Sequence, residues 1–286
     1  MDLCNPREIK TVMSAFGIAP RKEYGQNFLI NRGALEDIAD SCADSEDTCV
    51  IEIGPGLGAL TRALGERYSR VLAIEIDKGL IPVLNHTLSG FDNISVINED
   101  VMKVDLVALI EEYSDGLPVS VCANLPYYIT TPILMRLLEC GAKFESITVM
   151  IQAEVAARLT AKPGSADYGA ITAVLEYYGD CKRVLSVSAG SFLPAPKVNS
   201  AVVKIELRKE KKYTPENEEL FFKLIKAAFE QRRKTLSNAI SHFFPQLDKE
   251  RVTAAIESCG HRADIRGEKL SCGEFCELSD AINKII

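Results

Sequence analysis

The sequence predicts an α/β chain with a mostly parallel sheet covered on both faces, an antiparallel edge pair and a small all-helical C-terminal domain. Three observations carry this. From Thr48, near-continuous apolar runs at 49–53, 71–76, 94–97, 119–123 and 147–151 alternate with segments of helical period, the pattern of buried parallel strands. Two later β-rich stretches, 181–189 and 199–208, have no helix-length segment between them and read as an antiparallel pair. From about Pro215 to the end the apolar spacing is helical.

Taken in order, residues 5–16 form the first expected helix. Asn5 caps it, Pro6 sits at its first position and Glu8 completes a capping pattern. A polar and aromatic connection, 19–30, leads to a second helix capped by Asn31. Crossover helices are expected near 58–66, 78–88, 104–113, 130–140 and 153–160, and C-terminal ones at 216–231, 234–243, 248–258 and 273–284. The charged segment Arg208–Lys212 marks a boundary, giving domains 1–210 and 211–286.

The 286 residues, 47% hydrophobic and 26% charged, suffice for one large domain and a small one. No uncharged apolar run is long enough to span a bilayer, so no membrane partner is expected. The N-terminus lacks the basic and apolar regions of a signal peptide, and nine scattered cysteines without a C-x-x-C pair read as reduced thiols; both point to a cytoplasmic protein. The histidines (His86, His242, His261) make no cluster with them, and no metal is expected. A monomer is the expected state. A net charge of −7 argues mildly against nucleic acid, yet Lys197 to Lys234 holds eleven Lys or Arg against six Glu, a local surplus suited to phosphate.

Three strand ends carry a nucleoside signature. The first strand ends in Glu52-Ile-Gly-Pro-Gly-Leu-Gly58, where Gly54 and Gly56 allow close backbone approach at a helix N-terminus. The third glycine of the dinucleotide spacing is missing, and Pro55 restricts the turn, which weakens a nicotinamide reading. Glu75 ends the second strand, 21 residues after Gly54, and suits a pair of ribose hydroxyls. Asp100, after the third strand, is either an acceptor for an adenine amine or the cap of the next helix. Together these specify an adenosine ligand.

The fourth strand ends in Asn124-Leu125-Pro126-Tyr127. An amide oxygen, a carbonyl ahead of a proline and a flat ring suit an amino group on a planar heterocycle. Phe192 precedes Pro194 and Pro196, which hold the segment as a stiff exposed loop, so its ring is expected to close the other face of such a heterocycle. Arg232, Arg233 and Lys234 open a C-terminal helix, where positive charge opposes the helix dipole and an external phosphate would relieve it. Arg158, Lys162 and Lys197 are expected to add sequence-independent backbone contacts.

These motifs resemble the S-adenosylmethionine-dependent rRNA adenine N6-methyltransferases. The likeness extends through Gln26-Asn27-Phe28-Leu29, Met150 to Leu159, Lys162-Pro-Gly-Ser, Asp167-Tyr-Gly, Phe192 to Val202 and Gln231 to Leu236, and spans about residues 20–280. Tyr128 departs from the polar residue that often follows the family's Pro-Tyr pair. The resemblance implies a Rossmann-like class I methyltransferase sheet and S-adenosyl-L-methionine as methyl donor. It implies that Asn27, Leu29, Gly54, Glu75, Asp100 and Asn124 hold that donor, with Gly56 in the same turn. It further implies N6,N6-dimethylation of two adjacent adenines in the hairpin loop near the 3′ end of 16S rRNA, in the small ribosomal subunit or its precursor. A part in ribosome biogenesis and an RNA-recognising C-terminal domain go with it. Three other readings compete: a 23S rRNA methyltransferase of the macrolide-resistance type, a non-catalytic small-subunit assembly factor, and an NAD-dependent oxidoreductase.

Overall fold

In the computed structural model, residues 1–21 and 24–286 are described; Lys22 and Glu23 of the 19–30 connection lie outside them. The first helix, α1 (Pro6–Ala15), starts as expected: the Asn5 side chain accepts from the Arg7 amide. Glu8 differs from the expected capping pattern, because its carboxylate accepts from the Asp2 amide at 2.6 Å and so ties down the N-terminal segment. A short strand, β1 (Phe28–Leu29), precedes α2 (Arg32–Cys42), which Asn31 caps through the Ala34 amide.

The predicted parallel strands are present as β2 (Cys49–Ile53), β3 (Arg70–Ile74), β4 (Ile94–Ile97), β5 (Val119–Asn124) and β6 (Ser146–Gln152). Between them run α3 (Ala59–Gly65), α4 (Ile81–Thr87), α5 (Leu106–Tyr113) and α6 (Thr130–Glu139). Next come α7 (Ala153–Leu159), α8 (Ala170–Tyr178), β7 (Gly179–Val187), β8 (Phe192–Leu193) and β9 (Ser200–Leu207). The sheet order is β4-β3-β2-β5-β6-β9-β7, with β9 antiparallel to β6 in the register Met150↔Val202. This is the expected parallel sheet with an antiparallel edge pair.

Among the parallel strands the order reverses once. From β2 the chain steps outward through β3 and β4, then returns to lay β5 on the other side of β2. The loops leaving β2 and β5 therefore diverge and open a crevice at the carboxyl ends of these strands, where open α/β sheets take their ligands.

Contacts divide the chain into two compact units, 1–156 with 182–207, and 157–181 with 208–286. The first holds the sheet. One of its apolar clusters joins α2 and α3 to the strands through Ile38, Cys42, Val50, Leu64, Val71 and Met150. A second joins α1 to Phe28, Leu57, Val83 and Leu84, and so fixes the N-terminal segment beside the glycine turn. The second unit packs α8 with α9 (Glu218–Glu230), α10 (Leu236–Phe243), α11 (Lys249–Ser258) and α12 (Cys272–Asn283). Phe221, Ile240, Ile256 and Phe275 are buried there, and the Tyr168 hydroxyl donates to the Leu270 carbonyl at 3.0 Å. A boundary at residue 210 assigns 157–181 to the sheet domain; their contacts group them instead with the C-terminal helices. The physical reason is α8, whose buried face meets α9 and α12.

Candidate active site

A cleft with about 910 Å³ of empty space opens at the carboxyl ends of β2, β3 and β5. The glycine turn after β2 forms one wall. Gly54 and Gly56 have φ of +71° and +61°, which side-chain-bearing residues rarely adopt. A Cβ at Gly54 would meet nothing within 4 Å, whereas one at Gly56 would press on the Phe28 ring at 3.1 Å. The backbone at Gly54 is thus bare to the cleft, while Gly56 is sealed from behind.

Glu75 follows β3 and is buried. One carboxylate oxygen accepts from the Asp77 amide at 2.7 Å and the other from the Gly56 amide at 3.3 Å. Burial holds its carboxyl above the usual range, and the two amides act in the opposite sense. Ile76, next in the chain, lines the cleft with 49% of its surface exposed, an apolar shelf for a planar ring.

Glu52, within β2, lines the same cleft and is almost inaccessible. Burial, with the charge of Glu75 adding to it, pushes its carboxyl up to about 8. The buried Thr61 hydroxyl beside it acts in the opposite sense, and neither that hydroxyl nor Glu52 Oε2 has another partner among the described residues. A buried carboxyl among the cleft residues fits a ligand that brings a donor or positive charge.

The end of β5 supplies the opposite wall. Asn124 Nδ2 donates to the Asn27 carbonyl at 3.1 Å, and Asn27 Nδ2 donates to the Gly25 carbonyl at 3.0 Å. With its nitrogen so engaged, the Asn124 amide has its oxygen left as acceptor. The Leu125 amide donates to the Met150 carbonyl at 3.1 Å, tying the turn to β6. Tyr127 lines the cleft, and its hydroxyl bonds the buried Ser200 hydroxyl at 2.7 Å, which anchors the ring by its edge.

Of the residues singled out in the sequence, the cleft brings together Asn27, Leu29, Gly54, Gly56, Glu75, Asn124, Leu125, Pro126 and Tyr127. Two stand elsewhere. Asp100 lies beyond β4, its Oδ1 accepting from the Met102 amide at 2.9 Å and its Oδ2 beside Lys103 Nζ at 3.3 Å; it does not cap the next helix, because α5 starts later, at Leu106, and Asp105 caps it through the Val107 and Ala108 amides. Phe192 corrects an expectation: it is 3% exposed and buried in the core. Its strand β8 pairs with β1, Leu29 opposite Phe192, and this pairing turns the ring inward rather than toward a ligand. Pro194 and Pro196 stiffen the loop that follows it without exposing it.

Sequence reasoning also missed cleft residues. Leu3 and Ile9 reach it from the N-terminal segment and Ile76 from a loop, whereas Gln26, part of the Gln26-Asn27-Phe28-Leu29 motif, lines it beside Asn27. Only Ile76 gives a signal, as an apolar residue following a strand-end acid. Tyr128, 64% exposed, stands against Gly25, where a Cβ would meet its ring at 3.5 Å. Of the basic trio, Arg232 bonds Glu268 at 2.7 Å and the Ala166 carbonyl at 2.6 Å, while Arg233 and Lys234 are exposed.

The sheet order, glycine turn, strand-end acid and Asn-Leu-Pro-Tyr corner define a class I methyltransferase. The chain belongs to the ribosomal RNA adenine dimethylase family, whose model matches residues 18–284. It is 45% identical to Ribosomal RNA small subunit methyltransferase A of Alkaliphilus metalliredigens over 98% of each chain. With the protein of that name from Bacillus pumilus it shares 44% identity, over 100% of this chain and 99% of the other. Among solved structures, a dimethyladenosine transferase from Plasmodium falciparum superposes with a TM-score of 0.75 at 25% identity, covering 90% of this chain and 97% of the other. The 23S rRNA methyltransferase ErmE gives 0.70 at 26% identity, covering 90% and 100%. The protein is thus a methyltransferase of the rRNA adenine dimethylase type, and the family uses S-adenosylmethionine as methyl donor.

Proposed function

We propose that this chain dimethylates the N6 nitrogens of two adjacent adenines in the hairpin loop near the 3′ end of 16S rRNA, acting on the small ribosomal subunit or its precursor. It does so as a cytoplasmic monomer that contributes to ribosome biogenesis. The observation that carries the reading is the Asn124 amide, locked by Asn27 with its oxygen free, across one cleft from a glycine turn and a buried acid. ErmE shares the fold almost as fully, so the fold does not choose the subunit; the small-subunit reading is supported by 45% identity along nearly the whole chain.

S-adenosylmethionine, when bound, supplies an electrophilic methyl group. Glu75 would hold its ribose hydroxyls, Ile76 its adenine, and the Gly54–Gly56 turn its tail. Asn27, Leu29 and Asn124 would complete the donor-side wall. Glu52 lines the cleft that this positively charged donor would occupy.

The N6 nitrogen of the target adenine is a poor nucleophile because its lone pair is delocalised into the ring. The Asn124 side-chain oxygen and the Leu125 carbonyl hold its hydrogens, and Pro126 keeps that corner rigid. These dipoles are in place before charge develops on the nitrogen, so little reorganisation is required. Tyr127, anchored at Ser200, stacks on the flipped base and aligns it with the methyl group. The methylated nitrogen is acidic, so water takes its proton. Arg158, Lys162, Arg233 and Lys234 of the second unit, and separately Lys197 of the first, supply RNA backbone contacts.

The test is transfer of labelled methyl groups to small subunits lacking adenine dimethylation, with large subunits and free rRNA in parallel. N6,N6-dimethyladenosine in small-subunit RNA is the expected product; label confined to large subunits would move the protein to the macrolide-resistance class. A separate prediction concerns the donor. Glu75→Gln replaces a charged acceptor by a neutral one and is expected to weaken donor binding by about 1.5–3 kcal/mol, roughly 10- to 100-fold. Calorimetric titration checks this, and unchanged affinity would remove Glu75 from the ribose site.

A further inference from the structure

Asp77 is buried, yet it lies two residues beyond the carboxylate that faces the donor and is not itself a wall of the cleft. Its bonds run in three directions. Its amide donates to Glu75 Oε1 at 2.7 Å, which holds that carboxylate. Its Oδ1 accepts from the Gly79 amide at 3.0 Å and pairs with Arg21 at 3.4 Å. Its Oδ2 accepts from Gln26 Nε2 at 3.2 Å.

Gln26 is held from both ends, because its Oε1 accepts from the Arg21 amide at 2.8 Å. The next residue is Asn27, whose carbonyl receives the Asn124 amide nitrogen at 3.1 Å. Hydrogen bonds at Gln26 and at Asn27, joined by the peptide bond between these residues, thus link the end of β3 to the end of β5. The bond from Gln26 Nε2 to Asp77 is what fastens the Gln26 side chain to the sheet. If Gln26 swings away, the Asn27 carbonyl shifts and Asn124 loses the partner that selects its rotamer.

We propose that Asp77 is a positioning residue for methyl transfer: through Gln26 it sets the Asn27 carbonyl that turns the Asn124 oxygen toward the target amine. The proposal rests on the reading of Asn124 as the acceptor for that amine. It assigns Asp77 no contact with donor or RNA.

The bond between Asp77 and Gln26 has a polarity, and that makes the proposal testable. Asp77→Asn keeps one oxygen for the Gly79 amide but sets an amide nitrogen against Gln26 Nε2, two donors face to face. The turnover number with small subunits is expected to fall at least tenfold, with donor affinity within about twofold of the unaltered protein. Adding Gln26→Glu reverses the bond: the new carboxylate accepts from the side-chain amide introduced at position 77 and still accepts from the Arg21 amide. Turnover is expected to return to within about threefold. The melting temperature of each variant distinguishes this from simple destabilisation, since a structural role would move stability and donor affinity together.

Unchanged turnover in Asp77→Asn overturns the proposal. So does a loss confined to donor affinity, which would make Asp77 part of the Glu75 site alone. Failure of the folded double variant to recover turnover also overturns it. Asn124→Ala run beside them reads the underlying assumption: full activity there would sink the role of Asn124 itself, whatever Asp77 does.

Discussion

Asn124→Ala is expected to lower the methyl-transfer rate by about 10²–10³-fold, or roughly 3–4 kcal/mol, the size typical for one preorganised acceptor or donor removed from a developing charge. The side chain is fixed before substrate arrives, since its nitrogen already donates to the Asn27 carbonyl at 3.1 Å. Truncation removes the oxygen proposed to meet the amine and leaves the Asn27 carbonyl without this partner. Donor affinity is expected to change by less than about tenfold, because Glu75 and the glycine turn remain. Asn124→Asp sharpens the test. Aspartate keeps the acceptors, but it cannot donate to Asn27, so the carboxylate is repelled by that carbonyl and the aim is lost. Single-turnover assays with saturating donor measure both variants. A loss below tenfold in Asn124→Ala, with the protein folded, would remove this residue from the transition state.

Much of this is legible in the sequence because parallel strands buried on both faces need unbroken apolar runs. Cys49–Ile53 and Ile94–Ile97 match their expected spans, and the wall residues Gly54, Glu75 and Asn124 lie at or just beyond strand ends, where the chain pattern changes abruptly. Helix α8 is not legible. Its sequence, Ala-Ile-Thr-Ala-Val-Leu-Glu-Tyr-Tyr, is rich in β-branched and aromatic residues and apolar on most sides, so no 3.6-residue period stands out. Its neighbours in the second unit, not its propensity, make it a helix. Phe192 fails for a related reason. The prolines after it do mark a loop, but its burial depends on pairing with Leu29, a partner 163 positions away that no local pattern reveals. Leu3 and Ile9 are cleft residues for the same reason: only packing against Leu57, Val83 and Leu84 brings α1 to the glycine turn.

The second large effect is a pH dependence of stability set by Glu52. Its carboxyl is pushed up to about 8 from an ordinary 4.5, by burial first and by the charge of Glu75 next. Between these two values the folded protein holds a proton that the unfolded chain has released. Stability is therefore greatest near or below the unfolded value and falls as pH rises through this window. From about pH 5 to about pH 8 the loss due to this one group is about 3 kcal/mol. Glu75, raised for the same reason, acts in the same sense. Glu52→Gln cannot ionise, so it is expected to be more stable than the unaltered protein at the upper end of this interval. At the lower end it should be equal or slightly weaker, because its buried amide still needs a partner. Urea unfolding at the two pH values measures this, and the difference between the proteins should grow by about 3 kcal/mol across the interval. Parallel pH profiles would mean that water reaches Glu52 and lets it ionise in the folded state. The same carboxyl ties stability to function. A cationic donor bound in the cleft that Glu52 lines would favour the ionised form, so donor binding near neutral pH should release protons. Titrations in buffers of different ionisation enthalpy would count them, and Glu52→Gln should abolish most of the release while Asn124→Ala leaves it intact.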